Sequence, residues 1–309
     1  MSARQRKAAL MRGATYASVA TASGLILLKV VAWQVTDSVA LLSSLIDSLL
    51  DAAASVMTLF AVRQSLVPAD SNHRFGHGKI EPLAALAQAG LVAGSGLFLI
   101  AESVSRLITP QQPEHGAWGI AVMLVSIVAT LGLTSFQRYV VHHTKSIAIG
   151  ADALHYLSDL LMNAAVILAL VLSIYLGWTL ADPIIALGIA AILLRSAWKI
   201  ARQSLDILMD HELPDADRQR ILDTVKAHSD VLGVHDLKTR SSGQQDFIQL
   251  HLEIDGSMTL YRAHAIADTI EAELQTLYPG AEVLIHQDPH ILSEDTHVYA
   301  DETDRTAPK

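Results

Sequence analysis

Two stretches place ionisable side chains inside apolar surroundings. "LLSSLIDSLLDAAAS", residues 41–55, carries Asp47 and Asp51, and "GADALHYLSDLLMNAA", residues 150–165, carries His155 and Asp159. Each pair stands four residues apart, so on a helix it shares one face. Brought together, three carboxylates and one imidazole make a tetrahedral oxygen/nitrogen set suited to a divalent cation such as zinc. The bound cation would offset the cost of carboxylates in a low dielectric. The plainer alternative is that these groups cap, hydrogen-bond or snorkel. A central Asp costs about 2.5–3.5 kcal/mol on insertion scales, which favours the ion site over four uncompensated groups. Asp152, three residues before His155, is expected at the mouth of the site or as a cap.

A second cluster lies in "PADSNHRFGHGK", residues 68–79, which holds Asp70, His73 and His77. Three ligands in a short loop can hold a metal with one open position, and a solvated loop explains them equally well. The third cluster is His235, His251, His264, His286 and Asp288. Strand alternation would point several of these together. His115, His142, His143, His211, His228, His290 and His297 are assigned to no site.

Positioning these residues requires a membrane. The 309 residues are 51% hydrophobic and only 17% charged, with mean hydropathy +0.35, whereas soluble chains carry about a quarter charged residues. There is no cysteine, which removes disulfides and thiolate ligands. Six apolar stretches, about 14–34, 38–63, 80–107, 116–139, 148–175 and 179–201, are long enough to span. Arg4, Arg6, Lys7 and Arg12 precede span 1, Arg74 and Lys79 lie between spans 2 and 3, Arg138 and Lys145 between spans 4 and 5, and Arg195, Lys199 and Arg202 close span 6, while the other three loops carry no Lys or Arg. Positive charge favours the cytoplasm, so both termini are expected there.

Charge and composition change near residue 205. Residues 1–203 hold 14 Lys+Arg and 10 Asp+Glu, and residues 204–309 hold 8 and 21. The second region reads helix, strand, strand, helix, strand, a small α+β sandwich. The predicted organisation is an N-terminal segment 1–13, a six-helix transmembrane domain 14–204, a cytoplasmic αββαβ domain 205–292, and a disordered polar tail 293–309. No nucleic-acid partner is expected.

Together, "DSLLD", "HYLSD", "PADSNHRFGHGK", "FIQLHLE" and "IHQDP" resemble the motifs of the cation diffusion facilitators, and within them the bacterial ferrous-iron/zinc efflux pumps. The resemblance covers about residues 10–290. It implies a homodimeric proton-coupled antiporter of the bacterial inner membrane, not an enzyme. It implies export of zinc, with cadmium or ferrous iron as further substrates, and zinc also held structurally or for regulation. Asp47, Asp51, His155 and Asp159 match the transport site, of the zinc type rather than the all-carboxylate manganese type. Asp70, His73 and His77 match the loop site. His235, His251, His286 and Asp288, completed by His264 and Gln287, match the binuclear site of a metallochaperone-like domain. The resemblance further implies a Lys79–Asp210 charge pair steadying the dimer near the membrane surface, and a gate at Leu154.

Transport would then be alternating access, with metal and protons competing for the four side chains. His155 is the natural proton carrier, since imidazole ordinarily titrates near neutrality. A passive divalent-metal channel and a non-transporting membrane metal sensor are the rival readings. An intramembrane metal hydrolase ranks last, because no nucleophile or base is visible beyond the ligands.

Overall fold

The computed structural model describes residues 3–36, 39–108, 117–176 and 180–290. The polar tail from 293, His115 and His297 lie outside the described residues. Two compact units divide after Met209.

The first unit holds six long helices: α1 (Ala3–Thr36), α2 (Val39–Ser65), α3 (Ile80–Ile108), α4 (Ala117–Thr144), α5 (Ile147–Leu176) and α6 (Ala181–Leu208). Even α2, with 27 residues, is about 40 Å long, more than the ~30 Å hydrocarbon core. Five of the six, all but α5, are apolar enough along their described residues to cross a membrane. The remaining one, α5, carries Asp152, His155 and Asp159.

Helices run past the predicted spans. Already helical at Ala3, α1 starts well before residue 14, while α4 continues to Thr144 and α6 to Leu208. The apolar stretch marks only what lipid covers, and backbone hydrogen bonding continues into the interface where the residues are good helix formers. The composition break near 205 therefore falls within α6.

Small residues let the helices approach. Ala84, Ala85 and Ala89 of α3 and Ala190 and Ala197 of α6 are buried. A Cβ added at Gly96 would lie 3.2 Å from Leu194. Close backbone approach of this kind is how helices associate in lipid. Large apolar side chains such as Phe98, Val128 and Trp198 are about 70% exposed, as a lipid-facing surface requires. Around α5 pack α2, α3, α4 and α6, so its polar face is enclosed by protein.

The second unit follows the predicted order: α7 (Asp215–Lys226), β1 (Gly233–Ser241), β2 (Asp246–Asp255), α8 (Leu260–Leu277) and β3 (Glu282–His290). Its sheet has β2 in the centre, antiparallel to β1 and parallel to β3. Gly243, with φ of +85°, makes the β1–β2 turn. Thr259 caps α8 by accepting from the Arg262 N–H. Alternate residues of β2, Ile248, Leu250, Leu252 and Ile254, are buried against Ile221 and Val225 of α7 and Ile270 and Leu274 of α8. The other face of β2 carries Gln249, His251, Glu253 and Asp255, as the period of two demands.

Register then lines up side chains across strands. His235 pairs with His251, and His251 with His286. The next row is Gly233, Glu253 and Asp288. After His235 the β1 register shifts, and Asp236 takes a left-handed φ of 49°. Such a bulge re-aims side chains beside a site.

Candidate metal centres

In the first unit, α2 brings Asp51, and α5 brings His155 and Asp159. One donor atom from each lies within 4.8 Å of the others. His155 Nε2 stands 2.9 Å from Asp51 Oδ1. Its other nitrogen, Nδ1, is buried with no hydrogen-bond partner among the described residues. Two carboxylates and one imidazole fit a divalent cation taken from donors of this type. Asp47 lies one helical turn from Asp51, is exposed, and stands outside this group of three. The predicted four-ligand set is thus brought together as three.

Lys29, an intramembrane cation absent from the sequence reading, comes from α1. Its Nζ donates to Ser48 Oγ at 2.7 Å and to the Ser44 carbonyl at 3.1 Å. The Asp51, Asp159 and Asp47 charges act on it. The signal was available, since a lysine inside an apolar run is itself a functional candidate.

Asp152 corrects an expectation. It is neither a mouth residue nor a cap, being 1% exposed and in the second turn of α5. Its carboxylate accepts from Ser18 Oγ (2.8 Å, α1), Ser55 Oγ (3.4 Å, α2), Gln88 Nε2 (3.1 Å, α3) and Gln137 Nε2 (2.7 Å, α4). Tyr156 and Ser55 hydroxyls share a bond of 2.7 Å beside it. A buried carboxylate needs donors, and away from water only neighbouring helices supply them. Leu154 is 9% exposed and belongs to a buried apolar cluster with Val92, Ala165, Ile189, Leu193 and Ala197.

The loop between α2 and α3 folds around Asp70. Asp70 Oδ1 accepts from the His73 and Asn72 backbone N–H groups at 2.7 and 2.9 Å. The His73 N–H leads in holding the Asp70 carboxyl below its usual range. His73 Nδ1 and His77 Nε2 lie 3.3 and 3.4 Å from Asp70, and the two rings are 4.5 Å apart. His77 Nδ1 is buried and unpartnered among the described residues. These donors form a second three-ligand group.

In the second unit, His235, His251 and Asp288 form the third group. Asp288 Oδ2 is 2.9 Å from His251 Nδ1 and 3.3 Å from His235 Nε2, and Oδ1 is 3.2 Å from His286 Nε2. Imidazole and carboxylate donors of this kind suit zinc and its neighbours. Gln287 alternates to the other side of β3 from His286 and Asp288. His264 is on α8, 3.6 Å from Asp268, and exposed. Neither belongs to the group of three within one chain.

Three residues here lay outside the sequence reading. Glu253 Oε1 is 2.9 Å from His235 Nδ1. His290, assigned to no site, has Nδ1 3.4 Å from Glu253 Oε2. Asp236 Oδ2 is 3.6 Å from His251 Nε2 and accepts from Lys238 Nζ at 2.7 Å, and Lys238 holds the Asp236 carboxyl low. Period-two counting from His251 would have found Glu253. The bulge that turns Asp236 inward has no sequence signal. Lys79 Nζ donates to the Leu208 carbonyl at 3.4 Å, and Asp210 lies 3.3 Å from Arg240.

Residues 15–209 match the cation efflux transmembrane domain, and residues 213–290 match the cytoplasmic domain of cation efflux proteins. The chain belongs to the cation efflux family. Cation-efflux pump FieF of Escherichia fergusonii is 48% identical over 280 residues, covering 91% of this chain and 93% of that protein. The FieF proteins of Salmonella paratyphi A and Klebsiella pneumoniae are 47% identical over the same shares. A solved CzrB chain is 33% identical, covers 26% of this chain and 99% of its own, and superposes with a TM-score of 0.25. As a cation efflux protein, the chain is a multi-pass membrane transporter of cations and not an enzyme.

Proposed function

We propose that the chain exports zinc from the cytoplasm across the bacterial inner membrane in exchange for protons, with cadmium or ferrous iron as further substrates. The observation that carries this reading is the group Asp51, His155 and Asp159, a buried imidazole between two half-buried carboxylates, shared between two helices of the membrane unit. Carboxylates and a neutral imidazole bind a dication, and the same atoms bind protons, so the two cargoes exclude each other. On the cytoplasmic side metal displaces protons, and on the far side protons displace metal. Asp47, one turn along α2, is the fourth ligand in the conformation that grips the ion. Leu154, packed among α3, α5 and α6, is the gate that closes one side.

The working unit is a homodimer with both termini in the cytoplasm. The helix-free sheet face supports this, since Leu284 is 61% exposed beside His286, and a second copy would cover it. His264 then completes a binuclear centre with the His235, His251, His286 and Asp288 set, Gln287 supporting it from the other side of β3, and the Lys79–Asp210 pair steadies the dimer. Metal at this centre cross-links the acidic soluble units and is structural or regulatory. The Asp70, His73 and His77 loop is a further metal site on the cytoplasmic side.

Purified protein in vesicles with an imposed pH gradient tests the reading. Zinc movement should follow the proton gradient and vanish in Asp51→Ala. Zinc movement that ignores the gradient would make the protein a passive channel. Unchanged transport in Asp51→Ala would refute the site.

A further inference from the structure

The sheet face that carries His235, His251 and Asp288 holds one more carboxylate, Glu253. It follows His251 by two residues on β2, with Gly233 opposite on β1 and Asp288 opposite on β3. The His235 ring lies between two carboxylates. Its Nδ1 is 2.9 Å from Glu253 Oε1, and its Nε2 is 3.3 Å from Asp288 Oδ2. A neutral imidazole has one N–H and one lone pair. A carboxylate at Nδ1 keeps the proton there and leaves the Nε2 lone pair directed at the metal group. Ligating histidines are commonly oriented this way, and losing such a partner costs roughly 10–100-fold in metal affinity.

Glu253 is itself held. Its second oxygen lies 3.4 Å from His290 Nδ1. It also leans over a residue with no side chain. A Cβ built on Gly233 would lie 2.6 Å from Glu253 Oε2 and 2.8 Å from Glu253 Cδ. Among the described residues the glycines with left-handed φ are Gly76, Gly243 and Gly280, so backbone strain does not account for Gly233. Clearance for the carboxylate does.

We propose that Glu253 is a positioning residue for the metal centre of the soluble unit, fixing the His235 ring with Nε2 toward the metal, and that Gly233 provides the clearance for it. The inference rests on the reading that His235, His251 and Asp288 hold a metal. It assigns no ligand role to Glu253.

Cobalt(II) titration of the full-length chain in detergent tests it, reading the visible d–d absorption that reports coordination geometry. Asp288→Ala identifies the band belonging to this centre. Glu253→Ala should weaken that band's cobalt affinity roughly tenfold or more and change its shape. Glu253→Gln, whose amide oxygen can still accept from Nδ1–H, should fall between wild type and Glu253→Ala. Gly233→Ala displaces the flexible carboxylate without removing a polar group. It should weaken binding in the wild-type background and add nothing to Glu253→Ala. An Asp288-dependent band that neither Glu253→Ala nor Gly233→Ala alters would overturn the positioning role alone. Additive losses would also overturn it, because they would mean that Gly233→Ala acts by distorting the strand. No Asp288-dependent band in the wild type would overturn both the centre and the inference.

Discussion

The two units differ in how many polar side chains they bury. The interior of the soluble unit is aliphatic: Ile221, Ile248, Leu250, Leu252, Ile270 and Leu274 are at most 1% exposed, and its metal-ligand candidates sit on the surface. The membrane unit buries many polar side chains beside its apolar clusters. Ser18, Ser55, Thr58, Gln88, Gln137, Asp152 and His155 are buried, while Leu27, Phe98 and Val128 face outward. Solvent explains the difference. Water drives apolar groups together, but lipid tails are as apolar as leucine, so helices in lipid associate through close packing and polar contacts. A polar interior in the membrane unit both joins the helices and makes an ion site possible. In the soluble unit, the aliphatic core and the candidate metal ligands occupy opposite faces of one sheet.

This contrast can be tested by variants, from the largest expected effect downward. His155→Ala should reduce zinc transport in vesicles at least ~100-fold, since a ligand should matter no less than an outer partner. His251→Ala should reduce it by a much smaller factor. Equal losses would mean that the soluble centre lies on the transport path. Leu252→Ala should destabilise the soluble unit by about 2–5 kcal/mol, read from its urea transition in the full-length chain, without moving the transition of the membrane unit. Asp152→Ala removes the acceptor of four interhelical bonds. At about 0.6 kcal/mol for each such bond in a membrane, the loss is roughly 2–3 kcal/mol, measured by detergent denaturation. A neutral Asp152→Ala would break the claim that polar contacts hold these helices together.

The smallest effect is expected at the exposed Asp70. Its carboxyl is held low chiefly by the His73 N–H, so its contribution to stability is present above the ordinary carboxylate value, about pH 4, and disappears as pH falls through the lowered one. In metal-free protein, Asp70→Asn should lower the melting temperature slightly at neutral pH, and the gap should close in acid.

Much of this was readable along the chain. The i, i+4 spacing placed Asp47 with Asp51 and His155 with Asp159, and the αββαβ order followed from alternation and turn residues. Helix ends were not readable, because hydropathy marks lipid and not hydrogen bonding. Asp152 was misplaced because its four partners come from four other helices, 15 to 134 residues away. Glu253 and His290 look like ordinary surface residues until strand register sets them beside His235.

Sequence alone determined which side chains could hold a cation and on which helical or strand face each stands, because local periodicity is a property of neighbouring residues. Only the tertiary structure decided that Asp51 meets His155 and Asp159 while Asp47 stands apart, that Asp152 joins five helices, and that Glu253 lies against the His235 imidazole with Gly233 beneath it. Those facts depend on helix rotation, strand register and one missing Cβ, which arise from packing between segments distant in the chain.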